Sequence, residues 1–349
     1  MTGKVHHLAS IQLLRAFAAI TVMLAHQWLA LDQVGAGDSI PNWIAGAFGV
    51  DLFFVISGFI MVYTSEPLFG RRQGPLIFMG RRILRIVPLY WFLTLSIVTG
   101  WLVYFGAVPG HASILSSLLF WPNENNAPVL GVGWTLNYEM FFYAMFAMTV
   151  FLPRTLSVIA LTCLFFVFTH LPFSGPPMNV WGSDLVWEFV YGLWMGLAFR
   201  AGWRIPPAPA IVISILAYAT ALYLFNHEWG GLPRSVAWGV PAAVIVGAFA
   251  MSRFDFGKLP GMAPLVALGD ASYALYLLHS IVPIFMRVGH VPSVIDPVQH
   301  GYLYATISVT LSLIAAFIFN ELDRRFRFFV RRSRGPSDRS RPSTGSSLA

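Results

Sequence analysis

Charged residues are scarce in this chain. Asp, Glu, Lys and Arg fill 11% of its 349 positions and hydrophobic residues 57%, where a soluble domain carries charge at about a quarter of its positions. So little charge cannot coat a water-facing surface of this size, which excludes a soluble globular protein and leaves lipid as the solvent for most of the chain. The mean hydropathy of +0.68 agrees. Cysteine is almost absent as well: the lone Cys163 excludes an internal disulfide framework and a cysteine-rich metal site. No internal repeat is visible. Nor is a cleavable leader expected, because the apolar run from Ile11 to Leu31 is too long for a signal core and lacks a small-residue cleavage site.

What is abundant fits the same class. Twelve Trp, twelve Tyr and thirty Phe are residues that gather at bilayer interfaces and between packed helices. With about 20 apolar residues needed per crossing, spans are expected near 11–31, 44–63, 83–105, 132–152, 155–172, 184–200, 209–226, 235–251, 263–286 and 303–320. The stretch Ser113 to Trp121 is too short to cross and is expected as an interfacial or re-entrant helix. The expected fold is an all-α bundle of about ten transmembrane helices occupying 1–330, with a disordered, basic Ser/Arg/Pro-rich tail over 331–349. With the N-terminus inside, 20 of the 22 Lys and Arg residues fall on the inner side and only Arg234 and Arg287 outside. That asymmetry predicts cytoplasmic N- and C-termini. It also assigns the net charge of +7 to topology and lipid attraction, not to nucleic-acid binding.

Five ionisable residues stand inside the expected spans: His26, Asp51, Glu139, Glu188 and His279. Each costs roughly 2.5–3.5 kcal/mol at mid-helix on insertion scales, and such residues are usually functional. Counting about 1.5 Å per residue places all five in the outer half of a core about 30 Å thick. One layer contributed by five spans reads as a water-accessible cavity, with helix–helix pairing as the alternative. For Asp51 and Glu188 taken alone, pairing is the better reading; for His26 with Glu139, function is.

Arg15 and His26 lie eleven residues apart, so they share a helix face within about 20° and sit about 16 Å apart along the axis. Arg15 would stand at the cytoplasmic mouth, or simply snorkel to the interface. In the run Gly80-Arg81-Arg82-Ile83-Leu84-Arg85-Ile86-Val87-Pro88, three cations crowd one turn. They repel unless an anion sits among them. Lipid phosphate would serve, as would a phosphorylated ligand arriving from the cytoplasm, which Arg contacts bidentately. Ser57-Gly58 offers small residues for close helix approach. Ser272, Tyr276 and His279 form a polar stripe, and Trp134 to Glu139, with Asn137 and Tyr138 between, gives another span a polar entrance. Asp51, Ser57, Trp134, Tyr138, Ser272, Tyr276 and His279 are therefore the candidates to line a substrate cavity.

These runs resemble membrane-bound acyltransferase family 3, particularly its bacterial exopolysaccharide O-acetyltransferases. The resemblance rests on Arg15 with His26, Phe53-Phe54-Val55-Ile56-Ser57-Gly58, Arg81-Arg82 with Arg85 and Pro88-Leu-Tyr90, Trp134-Thr135-Leu136 with Glu139, and Ser272-Tyr273 with Tyr276 and His279. It extends over most of residues 8–325. It implies a ten-helix fold in the bacterial inner membrane, acetyl-CoA as a cytoplasmic co-substrate, a carbohydrate hydroxyl as acceptor and an essential His26. It also implies donor handling by arginines at positions like Arg15 and Arg82. The further periplasmic domain of some relatives is not expected here, nor is a bound metal or permanently held cofactor.

On this reading the CoA phosphates rest among Arg15, Arg81, Arg82 and Arg85. The pantetheine arm brings its thioester to His26, a neutral imidazole suited to general-base work. Glu139 orients the imidazole as the third member of a triad does. Direct transfer and an acyl-His intermediate are both compatible with these residues. The acceptor would be an exopolysaccharide or lipid-linked glycan, with membrane lipids and polysaccharide-biosynthesis machinery as further partners. A transporter or flippase using the same polar layer is the alternative, and a non-catalytic export scaffold a third.

Overall fold

The computed structural model describes residues 8–123, 127–172 and 174–333. Every expected apolar run contains a helix. In chain order these are α1 Ala9–Asp32, α2 Phe48–Thr64, α3 Gly74–Phe105, α4 Trp134–Thr149 and α5 Arg154–His170. They continue as α6 Val186–Arg200, α7 Pro207–Asn226, α8 Val240–Met251, α9 Ala263–Leu278 and α10 Gly301–Ser333. No strand forms among the described residues; one isolated bridge joins Ile205 and Ser252. The tail assigned to 331–349 lies, from 334 onward, outside the described residues, as does Lys4.

Local chemistry sets the boundaries. Proline stands in the first turn of α7 and α9, where its missing N–H is no loss. Gly106 closes α3 in the left-handed conformation at φ 63°. Among the described residues, five segments are long and apolar enough to cross a membrane: α1, Ile44–Thr64 (a 3-10 turn running into α2), α3, α7 and Gly301–Val330. A sixth arises if α9 and Val282–Val288, bent by 44° at the break between them, count as one. The others are shorter: Arg154–His170 and Ser235–Met251 are apolar helices of at most 17 residues, and turns consume part of some runs. In the expected span 132–152, Gly131–Gly133 is a 3-10 turn and only 16 residues are α-helical. The short stretch expected near Ser113 to Trp121 is the helix His111–Leu118, tied to α3 by Trp91 Nε1 donating to the Leu118 carbonyl at 2.9 Å.

Helix ends gather on two sides in alternating order. On one side, Ser10 donates twice to Asp255 at 2.7 Å, joining the start of α1 to the α8–α9 loop. On the same side Glu66, after α2, binds Arg154 at 2.9 Å and Arg200 at 3.8 Å, which begin α5 and end α6. On the opposite side Asp51, Asp184 and Arg234 meet at the starts of α2, α6 and α8. Leu31 and Ala36 also pack there with Met286 and Tyr304, at the start of α10. The outward surface is apolar: α3 exposes Leu102, Val103 and Phe105, and α7 exposes Ile213, Ile215 and Leu216. An apolar exterior this broad belongs to a bundle bathed in hydrocarbon.

Hydrocarbon gives no hydrophobic drive between helices, so close backbone packing must hold them. The α2–α6 crossing is the most intimate. A Cβ on Gly58 would lie 2.0 Å from the Phe189 carbonyl oxygen, and one on Gly192 would lie 2.0 Å from that of Val55. Gly192 and Gly196 form a Gly-x-x-x-Gly pair, the spacing that lets helices touch. Likewise Gly269 of α9 abuts the Gln12 carbonyl of α1, where a Cβ would meet oxygen at 2.0 Å. Gly58→Ala is therefore expected to lower stability by about 1–3 kcal/mol, the usual cost of overpacking. Gly80→Ala, with open space around its Cβ, should cost nothing. Thermal unfolding in detergent micelles reads both, and equal melting temperatures for the two variants would refute the packing argument.

Candidate active site

A cavity of about 280 Å³ lies among α1, α2, α3, α4 and α9. On α1 it is lined by Ile11, Gln12 and Arg15, the first two turns. On α2 it is lined from Val50 to Thr64, about 21 Å of helix. Arg82 and Arg85 enter from α3, Thr135, Glu139 and Tyr143 from α4, and Ser272, Tyr273 and Tyr276 from α9. Arg81 is exposed and absent from the lining. Arg81 stands about 100° round the helix from the buried Arg82, with the half-buried Arg85 between them. The three-cation cluster expected from the sequence is thus a pair, with Arg15 joining it from α1.

Arg82 is buried and well held. Its guanidinium donates to Thr64 Oγ1 at 3.1 Å and lies 5.3 Å and 5.5 Å from the ring centres of Phe78 and Tyr143. Glu139 Oε1 accepts from Ser57 Oγ at 3.0 Å and, by a short bond, from the Tyr143 hydroxyl. No hydrogen bond joins Glu139 to His26 among the described residues. Ser272 is fully buried at the cavity wall, and its hydroxyl has no hydrogen-bond partner among the described residues. Tyr273 donates to the Ile86 carbonyl at 2.7 Å, two residues before the in-helix Pro88.

The five ionisable residues do not share one chamber. Only Glu139 lines the cavity. His26 and His279 form a pair of their own, with ring centres 4.8 Å apart and planes at 77°. Each Nδ1 meets the carbonyl four residues earlier on its own helix, Val22 at 2.9 Å and Leu275 at 3.0 Å. A carbonyl only accepts, so both Nδ1 atoms carry protons, and in the neutral rings both Nε2 atoms keep their lone pairs. Asp51 is fully buried and takes a two-point grip from Arg234, at 3.0 Å and 2.8 Å. Glu188 is buried within electrostatic reach of Asp51, against Gly239. Asp51 thus pairs with Arg234 across helices, while both carboxylate oxygens of Glu188 are without a hydrogen-bond partner among the described residues. Trp134 and Tyr138 stay outside the lining too: Trp134 packs on Phe54 and Tyr138, and Tyr138 accepts from Ser183 at 3.2 Å.

A model of the acyltransferase domain matches residues 8–321. This chain belongs to that acyltransferase family. It is 33% identical over 295 residues to the exopolysaccharide production protein ExoZ of Rhizobium meliloti, covering 80% of this chain and 90% of that one. It is 29% identical to the acyltransferase MdmB of Streptomyces mycarofaciens, covering 83% and 82%. With the O-acetyltransferase OatA of Staphylococcus aureus it shares 24% identity over 90% of this chain, which spans 56% of that relative. No solved structure matches.

Several residues of this acyltransferase's polar interior escaped the sequence reading. Tyr143 stands four residues after Glu139, the spacing that places side chains over one another, so that signal was available. Thr64 as the seat of Arg82, and Arg234 as the partner of Asp51, had none, because both contacts join distant segments. The Asp51–Arg234 grip carries a thermodynamic expectation. Breaking a buried pair costs about 3–5 kcal/mol, whereas replacing both partners with apolar residues is often neutral. Asp51→Leu and Arg234→Met should each lower the melting temperature, and the double variant should recover most of the loss. A double variant as unstable as the two singles combined would show that the two residues act independently.

Proposed function

We propose that this acyltransferase moves an acetyl or other short acyl group from cytoplasmic acyl-CoA to a hydroxyl of an exopolysaccharide or lipid-linked glycan. In this proposal ten helices span the bacterial inner membrane with both termini in the cytoplasm, supported by the one-sided distribution of Lys and Arg. The acceptor class is supported by the similarity to ExoZ, an exopolysaccharide production protein, and to the O-acetyltransferase OatA. The single observation that carries the donor is the cavity, with Arg15, Arg82 and Arg85 converging on it.

Its size suits that task. Whole-ligand pockets run from about 300 to 1,000 Å³, so 280 Å³ accepts a pantetheine arm and leaves the nucleotide at the mouth. Arginine meets phosphate with paired, geometrically fixed hydrogen bonds. Arg82 is pre-positioned by Thr64, Phe78 and Tyr143, which lowers the ordering cost of binding. Glu139, held by Ser57 and Tyr143, contributes an acceptor for the amide N–H groups of the arm instead of touching His26.

His26 is the general base. Its Nδ1–H is fixed on the Val22 carbonyl, so Nε2 is the atom that takes the proton of the sugar hydroxyl. The hydroxyl oxygen bonds to the thioester carbon, the C–S bond breaks, and the proton on Nε2 passes to the departing thiolate. CoA leaves as the thiol and the glycan as its ester. Positioned general bases contribute about 10²–10⁴-fold. Membranes carrying the chain should therefore transfer radiolabelled acetyl from acetyl-CoA to a host polysaccharide fraction, and His26→Ala should lose that factor while inserting normally. Label transfer undiminished in His26→Ala would rule out the histidine as base.

A further inference from the structure

The cavity and the histidine pair are neighbours without being continuous. The lining follows α1 only as far as Arg15, and His26 lies eleven residues beyond, about 16 Å further along the helix. It follows α9 only as far as Tyr276, and His279 begins the next turn. Tyr276 is the residue in between. Its ring lines the cavity beside Phe53, with centres 5.9 Å apart, and lies 5.7 Å from the ring of His279, which in turn meets His26.

Its hydroxyl is pinned. It lies 2.9 Å from Thr135 Oγ1 and donates to the Val132 carbonyl at 3.3 Å, while Thr135 Oγ1 donates to the same carbonyl at 3.1 Å. The clasp thus ties α9 to the turn that opens α4. Behind it, His279 is fully buried and its Nε2 has no hydrogen-bond partner among the described residues.

We propose that Tyr276 is a specificity residue for the acyl acceptor: clasped by Thr135 and Val132, it closes the donor cavity off from the histidine pair, and so reserves the thioester for a sugar hydroxyl over water. This inference rests on the acyl-CoA and His26 reading above. An acyl group entering from the arginine end reaches Tyr276 before it reaches His26, so the ring must swing aside for transfer. With the clasp closed, His26 cannot present water to the thioester. With the clasp weakened, it can. Water then replaces the sugar: its oxygen bonds to the acyl carbon, the C–S bond breaks, one water proton passes through Nε2 to the thiolate, and free carboxylic acid and CoA thiol leave.

Two variants weaken the clasp from opposite helices while keeping the packing. Tyr276→Phe retains the ring, and Thr135→Val retains the shape of the threonine. Each removes hydrogen bonding of the size that shifts an equilibrium by roughly 2- to 10-fold. The experiment follows CoA thiol release from acetyl-CoA by membranes with and without the polysaccharide acceptor, alongside acetyl transferred to glycan. Acceptor-independent release should rise roughly 2- to 10-fold in both variants, and the glycan-to-water ratio should fall by a similar factor. His26→Ala combined with either variant should abolish the excess hydrolysis. An unchanged ratio in both single variants overturns the role of Tyr276 and leaves the donor assignment standing. Absence of both transfer and thiol release in the unmodified chain, with acceptor supplied, overturns the donor assignment and this inference with it.

Discussion

Hydrocarbon does not solvate polar groups, and this constraint organises the interior of the bundle. An ionisable side chain placed within the helices is costly unless it finds a partner in another side chain or in the backbone. Asp51 finds Arg234, and Glu139 finds two hydroxyls. Each histidine spends one nitrogen on its own helix. Three polar centres result, each bonded differently. The doubly gripped Asp51 holds helices together. The hydroxyl-bound Glu139 faces open space. The histidines each hold a backbone carbonyl of their own helix through Nδ1 and meet ring to ring.

Helix contact distance sets where these centres stand. Glycines at 58, 192 and 269 allow backbones to touch, which fixes the relative height of α1, α2, α6 and α9. Contact between Gln12 and Gly269 low on α1 and α9 brings His26 and His279 ring to ring higher up. The arginines lie in the lower part of the same framework and line the cavity with Glu139. The arginine-lined cavity and the histidine pair are thus held on shared helices yet in separate places.

Much of this was legible beforehand. Each expected apolar run contains a helix among the described residues, and the family resemblance drawn from Arg15, His26, the Phe53–Gly58 run, the arginine turn and Glu139 agrees with the match over residues 8–321. The pairing reading of Asp51 also holds, with Arg234 as a partner that the sequence could not name. Less was legible about extent. Counting apolar residues overestimates helix length wherever a turn such as Gly131–Gly133 is itself apolar, so fewer helices are long enough to cross than there are apolar runs.

By itself the sequence determined the class of solvent, the order of the helices, and the height of each polar residue along its own helix. These follow from composition and from a constant rise per residue, both local properties. Only the tertiary structure decided which polar residues meet. His26 and Glu139 stand at similar expected heights, yet one faces His279 and the other faces Ser57 and Tyr143. Meeting depends on how each helix is rotated toward its neighbours, and that rotation is set by contacts between distant segments, such as Gly58 on Phe189 and Gly269 on Gln12.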